Sequence, residues 1–146
     1  VAAQLAERLP RPGLVLLILA LLLAGCAPPA FDTAQLLPDA VGDFARTEGP
    51  VYDAESGIDV AAYNGAQGGI TLRVRQVDPD EVQTALAGLP AGATEIGDDP
   101  ALGEREGVFF AFSDEYHAAW ANGDWVFVLS ATTDDARRAF LASYGF

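Results

Sequence analysis

The chain contains no lysine and no methionine, and it has a single cysteine and a single histidine. All eight cations are arginines, set against 21 acidic side chains, so the formal charge is −13. A chain of that sign has no electrostatic hold on a phosphate backbone, which excludes nucleic acid as a partner. One cysteine excludes an internal disulfide framework. A lone His117 with no second histidine or cysteine to join it excludes a zinc site of nitrogen and sulfur ligands. Nucleophile and phosphate motifs are missing too. Ser56 stands in Ala54-Glu55-Ser56-Gly57 rather than Gly-x-Ser-x-Gly, and Gly65 to Gly69 has neither the spacing nor the lysine of a phosphate loop. The acidic pairs Asp98-Asp99, Asp114-Glu115 and Asp134-Asp135 lack EF-hand spacing. No catalytic residue, metal or cofactor is therefore expected, and the chain does not read as an enzyme.

What is present begins at the N-terminus. Leu14 to Ala24 is an unbroken apolar run preceded by Arg8 and Arg11. As a helix it spans only ~16 Å, about half of a ~30 Å hydrocarbon core, so it fits a secretory h-region better than a membrane span. The next step is Leu23-Ala24-Gly25-Cys26, which resembles the bacterial lipobox at all four positions. That resemblance implies diacylglycerol on the Cys26 sulfur and cleavage between Gly25 and Cys26. A thiolate is the small side chain nucleophilic enough for the thioether, and two or three acyl chains hold a protein on a bilayer where one does not. The expected organisation is a removed signal peptide at 1–25, a lipid-anchored spacer at 26–34 carrying Pro28 and Pro29, and one acidic domain at 35–146. The expected location is exported and membrane-anchored on the extracytoplasmic side, whether periplasmic or at the outer cell surface. Removing residues 1 to 25 takes away Glu7, Arg8 and Arg11 and leaves 20 acids and six arginines, so the acidity belongs to the exported part.

Along the mature chain the strand signals dominate. Phe44 to Asp53, Ile58 to Tyr63 and Ile70 to Val77 read as strands, the last with Ile70, Leu72 and Val74 on one face and Thr71, Arg73 and Arg75 on the other. Asp78-Pro79-Asp80-Glu81 has the pattern of a helix start. Val108 to Phe112, Tyr116 to Ala121 and Trp125 to Ala131 follow, apolar on both faces, with Asn122-Gly123 as a hairpin turn. A final helix opens at Thr133 with Asp134 and Asp135 in its first turn and Arg137 and Arg138 on its outer side. Ala61-Ala62-Tyr63 and Ala118-Ala119-Trp120 sit in similar contexts, which suggests a ββα pseudo-repeat. The expected fold is α+β: an antiparallel sheet of about five to seven strands with two helices on one face. The stretch from Leu37 to Arg46 resembles the opening of small bacterial envelope lipoproteins, which implies no particular activity.

The candidate contact residues are Arg73, Arg75, His117, Trp120 and Trp125. Arg73 and Arg75 mark a small anion site, or pair across the sheet with Asp59 or another carboxylate. His117 is a base or ligand, or a strand histidine facing solvent or hydrogen-bonded at a sheet edge. Trp120 and Trp125 line a pocket or a partner surface, or belong to the core. The expected function is a lipid-anchored envelope protein of noncatalytic, protein-interaction or structural role, with an envelope protein as partner and the membrane reached through Cys26. The alternative is a ligand-binding lipoprotein with a pocket at the aromatic sheet. A pocket lined by the tryptophans or the arginine pair favours the alternative; a flat exposed aromatic face favours the first. Cys26→Ser is expected to move the protein from the detergent to the aqueous phase in detergent partitioning.

Overall fold

Period-two alternation in Ile70 to Arg75 becomes a strand at the centre of a sheet. The structure is a computed structural model that describes residues 31–97, 100–103 and 105–146. Gly25 and Cys26, and with them the anchor, lie outside the described residues. Phe31–Phe146 forms one unit. Its elements in chain order are α1 (Thr33–Leu36), β1 (Ala40–Val41), β2 (Phe44–Asp53), β3 (Ile58–Gly65), β4 (Gly68–Gln76) and α2 (Val82–Ala87). Then come β5 (Thr94–Glu95), a 3₁₀ turn (Pro100–Leu102), β6 (Gly107–Phe112), β7 (Glu115–Asn122), β8 (Trp125–Ala131) and α3 (Asp134–Ser143).

All eight strands form one antiparallel sheet in the order β1-β2-β3-β4-β8-β7-β6-β5. Each half is a four-stranded meander followed by a helix, and the halves meet where β4 pairs with β8, Leu72 opposite Leu129. Ala61-Ala62-Tyr63 and Ala118-Ala119-Trp120 occupy matching places, Tyr63 opposite Ile70 and Trp120 opposite Phe127.

This corrects the expected α+β class. Among the described residues the fold is a mostly-β half-barrel of eight strands rather than five to seven, and its three helices have only four, six and ten residues. The repeating unit is a whole meander with its helix, not ββα. One strand escaped the sequence reading because it is two residues long: Ala40–Val41 folds back on Phe44 and Ala45 around Gly42, whose φ of +55° is left-handed.

The two longer helices also lie on opposite faces, not on one. The first face carries Ile70, Leu72, Phe127, Leu129, Ala118, Trp120 and Phe109, all buried, and α3 closes it with Ala136, Phe140 and Leu141. Phe140 packs edge-on against Phe44 and Tyr63 at ring separations of 5.5 and 5.2 Å. Each such side chain contributes about 1.5–3 kcal/mol by leaving water. α2 packs instead over β7 and β8 on the other face, where Val82, Phe110, Ala119 and Val126 are buried outside the main core cluster. Chain routing explains this. After β4 the chain must pass β8, β7 and β6 to reach β5 at the far edge, and α3 already occupies the first face.

The helix ends behave unevenly. Asp32 and Gln35 form a full capping box on α1, and the Thr133 hydroxyl accepts from the Ala136 amide at 3.0 Å at the start of α3. The Asp78-Pro79-Asp80 signal does not cap α2: those residues form a turn before it, and Glu81 stands at the N-cap with no side-chain hydrogen bond. Arg137, expected on the outer side of α3, is buried. It donates to Asp134 Oδ1 from Nε at 2.8 Å and from Nη2 at 2.6 Å, and its guanidinium lies 4.0 Å over the Phe109 ring. Burial raises the Asp134 carboxyl, but hydrogen bonds from Arg137 and Arg138 outweigh it and hold the group below its ordinary value. Among the described residues no helix is long and apolar enough to cross a membrane.

Two measurements check this packing. Leu72→Ala is expected to cost about 2–5 kcal/mol in urea unfolding, whereas Thr71→Ala next to it on the other face costs under about 1 kcal/mol. Burial pushes the Tyr63 hydroxyl up to about 12 from 10.0, and burial with Tyr63 nearby raises Tyr144, whose hydroxyl donates to Leu36 O at 2.5 Å. A raised acid stays neutral in the folded chain while the unfolded chain ionises. Its stabilisation is complete below about pH 10 and is lost as pH rises through about 12. Unfolding free energy should fall over that window, and Tyr63→Phe should flatten the fall.

Candidate functional site

The structure divides the five candidate residues between the two faces. Trp120 is 0% exposed on the α3 side, stacked on Phe127 at 5.1 Å, and its Nε1 donates to Phe146 O at 3.0 Å. Trp125 is packed against the same core. Neither tryptophan offers a ligand surface on the open face, because odd-numbered positions of β8 and even-numbered positions of β7 face α3. Arg73, Arg75 and His117 share the other face.

Register decides what surrounds the arginines. Arg73 lies between Val60 on β3 and Val128 on β8, and Arg75 has Val126 opposite it on β8 with Ile58 of β3 beside it. No carboxylate stands opposite either. Asp59, the expected cross-strand partner, pairs with Val74 and so belongs to the α1 side, where its Oδ2 accepts from Thr33 Oγ1 at 3.5 Å. Among the described residues no carboxylate oxygen lies within 4.0 Å of the Arg73 or Arg75 guanidinium. The contrast with the other cations is sharp. Arg46 is bonded to Asp39 and to Leu37 O, Arg138 reaches Asp134 Oδ2 at 2.9 Å, and Arg105 donates to Phe146 O at 2.6 Å and also to Tyr144 O. Among the described residues, two neighbouring half-buried arginines that meet neither a carboxylate nor a backbone carbonyl are the feature that sets this face apart.

Arg73 does have one polar partner, and it organises the rest. Its Nη1 lies 3.2 Å from Ser130 Oγ, which lies 3.0 Å from His117 Nδ1, while His117 Nε2 is 3.3 Å from Phe112 O. Arginine only donates, so Ser130 accepts from it and turns its own hydrogen to His117 Nδ1. That assigns the ring as the Nε2–H tautomer, donating to Phe112 O. Phe110 covers the imidazole, stacked at 4.7 Å and 9°. His117 is thus neither solvent-facing nor at a sheet edge, since β7 lies inside the sheet and the residue is 8% exposed. Glu115 Oε2, 3.9 Å from Nε2, is too far for a hydrogen bond. With Nε2 committed to a backbone carbonyl and Ser130 already accepting from Arg73, the serine and imidazole orient the guanidinium rather than activate a nucleophile.

Beneath α2 the arginines border a small cavity of about 150 Å³, with Val74, Val126, Val128, Ile58 and Ala85 as its other walls. On the far side of Arg75 a more polar hollow is lined by Asp78, Glu81 and Asp124. Among the described residues no group of three or more His, Cys, Asp or Glu side chains is placed to hold a metal ion. Sequence reasoning found Arg73, Arg75 and His117 but missed Ser130, Val126, Val128 and Ala85. Only the register of β8 against β4 and β7 would have shown that Ser130 falls next to both His117 and Arg73.

Ser130→Ala is expected to leave the fold intact and to release the imidazole. Long-range proton–nitrogen NMR should show a single Nε2–H tautomer in the parent chain at mildly alkaline pH and a mixture in the variant.

No protein-family model and no curated protein matches the chain. A crystal structure described as a GTP binding regulator from Thermotoga maritima is similar, with a TM-score of 0.52 and 12% identity over 80% of this chain and 91% of that one. At that identity the likeness extends to the fold alone.

Proposed function

We propose that the chain is an exported protein, tethered to the membrane through lipid on Cys26, whose folded domain holds a small anionic ligand at Arg73 and Arg75. One observation carries the reading: two neighbouring guanidiniums are half-buried among aliphatic side chains and, among the described residues, meet no carboxylate, although acids outnumber arginines 20 to six from Cys26 onward. Residues two apart on a strand are ~6.6 Å apart, so one oxyanion can bridge both. The noncatalytic, partner-binding alternative has less to support it. It relied on an exposed aromatic face, and the large exposed apolar side chains, Val51, Tyr52, Leu89, Ile96 and Phe112, are scattered over four segments. The guanine nucleotide associated with the structural neighbour finds no matching cradle, because Gly65 and Gly68 close the β3–β4 hairpin instead of leading into a helix.

The test uses the whole chain reconstituted in zwitterionic nanodiscs, with the arginine Nε–Hε signals followed during titration with acetate, phosphate and hexanoate in turn. Saturable shifts at Arg73 and Arg75, lost in Arg75→Gln, are expected for at least one anion. Unchanged signals throughout would contradict the reading.

A further inference from the structure

We infer that the ligand is a monocarboxylate carrying an aliphatic chain of about five carbons, its carboxylate on Arg73 and Arg75 and its chain in the cavity beneath α2. This rests on the anion-binding reading and deepens it. The cavity of about 150 Å³ adjoins both guanidiniums, and Val126, Val128 and Ala85 give its apolar wall only aliphatic carbon to offer. A hollow of about 150 Å³ walled by aliphatic carbon beside the guanidiniums has room for a chain of about five carbons.

The charge of the ligand follows from what lies nearby. Asp78, Glu81 and Asp124 line the adjoining hollow and repel any second negative charge, which disfavours a phosphate monoester or a dicarboxylate. Only two cations are available, and Arg73 already spends one donor on Ser130. The remaining forked N–H groups match the planar, two-oxygen geometry of a carboxylate. Ser130 and His117 are positioning residues here, holding the Arg73 guanidinium at the cavity mouth.

The experiment measures affinity for acetate, butanoate, hexanoate and octanoate on the whole chain in zwitterionic nanodiscs, by the same arginine signals. Affinity is expected to rise roughly fourfold per methylene up to hexanoate and then to level off, because the cavity is full. Ala85→Leu, which narrows the cavity, should remove the chain-length dependence. Acetate binding as tightly as hexanoate would overturn the inference while leaving the anion site standing. A gain that continues undiminished to octanoate would overturn the size limit. Absence of binding by every anion would overturn both the inference and the function it rests on. Should Ala85→Leu misfold, the chain-length series on the parent protein decides by itself.

Discussion

Pairing of β4 with β8 is the constraint on which the rest depends. With Leu72 opposite Leu129, the aliphatic positions of both strands face α3 and Arg73, Arg75 and Ser130 face away. A slip of one residue would exchange the faces and press two guanidiniums into an aromatic core. Desolvating an unpaired charge there costs several kcal/mol, so the register is held both by what it buries and by what it keeps out. It also joins the two meanders into one sheet, since among the described residues no other strand pair links the first half to the second.

The two faces are built to different standards. α3 seals the first with Phe140, Leu141 and Ala136, and Arg105 closes its C-terminal end by donating to Tyr144 O and Phe146 O. Burial lowers the Arg105 guanidinium from its ordinary value, the cost of a cation enclosed by backbone carbonyls. The second face has only the six residues of α2 as its helical cover, and a cavity remains beneath them next to Arg73 and Arg75. A small, cavity-bearing region beside a sealed core is where a binding site costs least stability, because fewer side chains pack there.

Much of this was legible in the sequence, and the failures have identifiable causes. The alternation in Ile70 to Arg75, the Asn122-Gly123 turn and the Thr133 cap each rest on local physics, and the structure uses them. β1 was not legible because two residues carry no period. The α2 cap misled because Asp78-Pro79 serves equally well as a turn, and the chain there is leaving the end of β4, with Val77 N donating to Asp124 O at 2.8 Å. Arg73 and Arg75 were visible as a pair, but their lack of a carboxylate was not. That depends on Asp59 facing the opposite side and on Val126 and Val128 arriving from a strand some fifty residues away. The tryptophans looked like ligand contacts because an indole reads the same in a pocket as in a core; parity along β7 and β8 puts both on the core face, Trp120 within the core and Trp125 packed against it.

The central claim is that Arg73 and Arg75 hold a ligand and add little to the stability of the folded chain. Thermal unfolding of the parent chain and of the double variant Arg73→Gln/Arg75→Gln, each in graded hexanoate, tests it most directly. A ligand that binds only the folded chain stabilises it by RT ln(1 + [L]/Kd). The two proteins should melt at the same temperature without hexanoate, and the midpoint should climb with hexanoate in the parent alone. A variant that melts well below the parent in plain buffer, or one that gains from hexanoate as much as the parent does, would contradict the account.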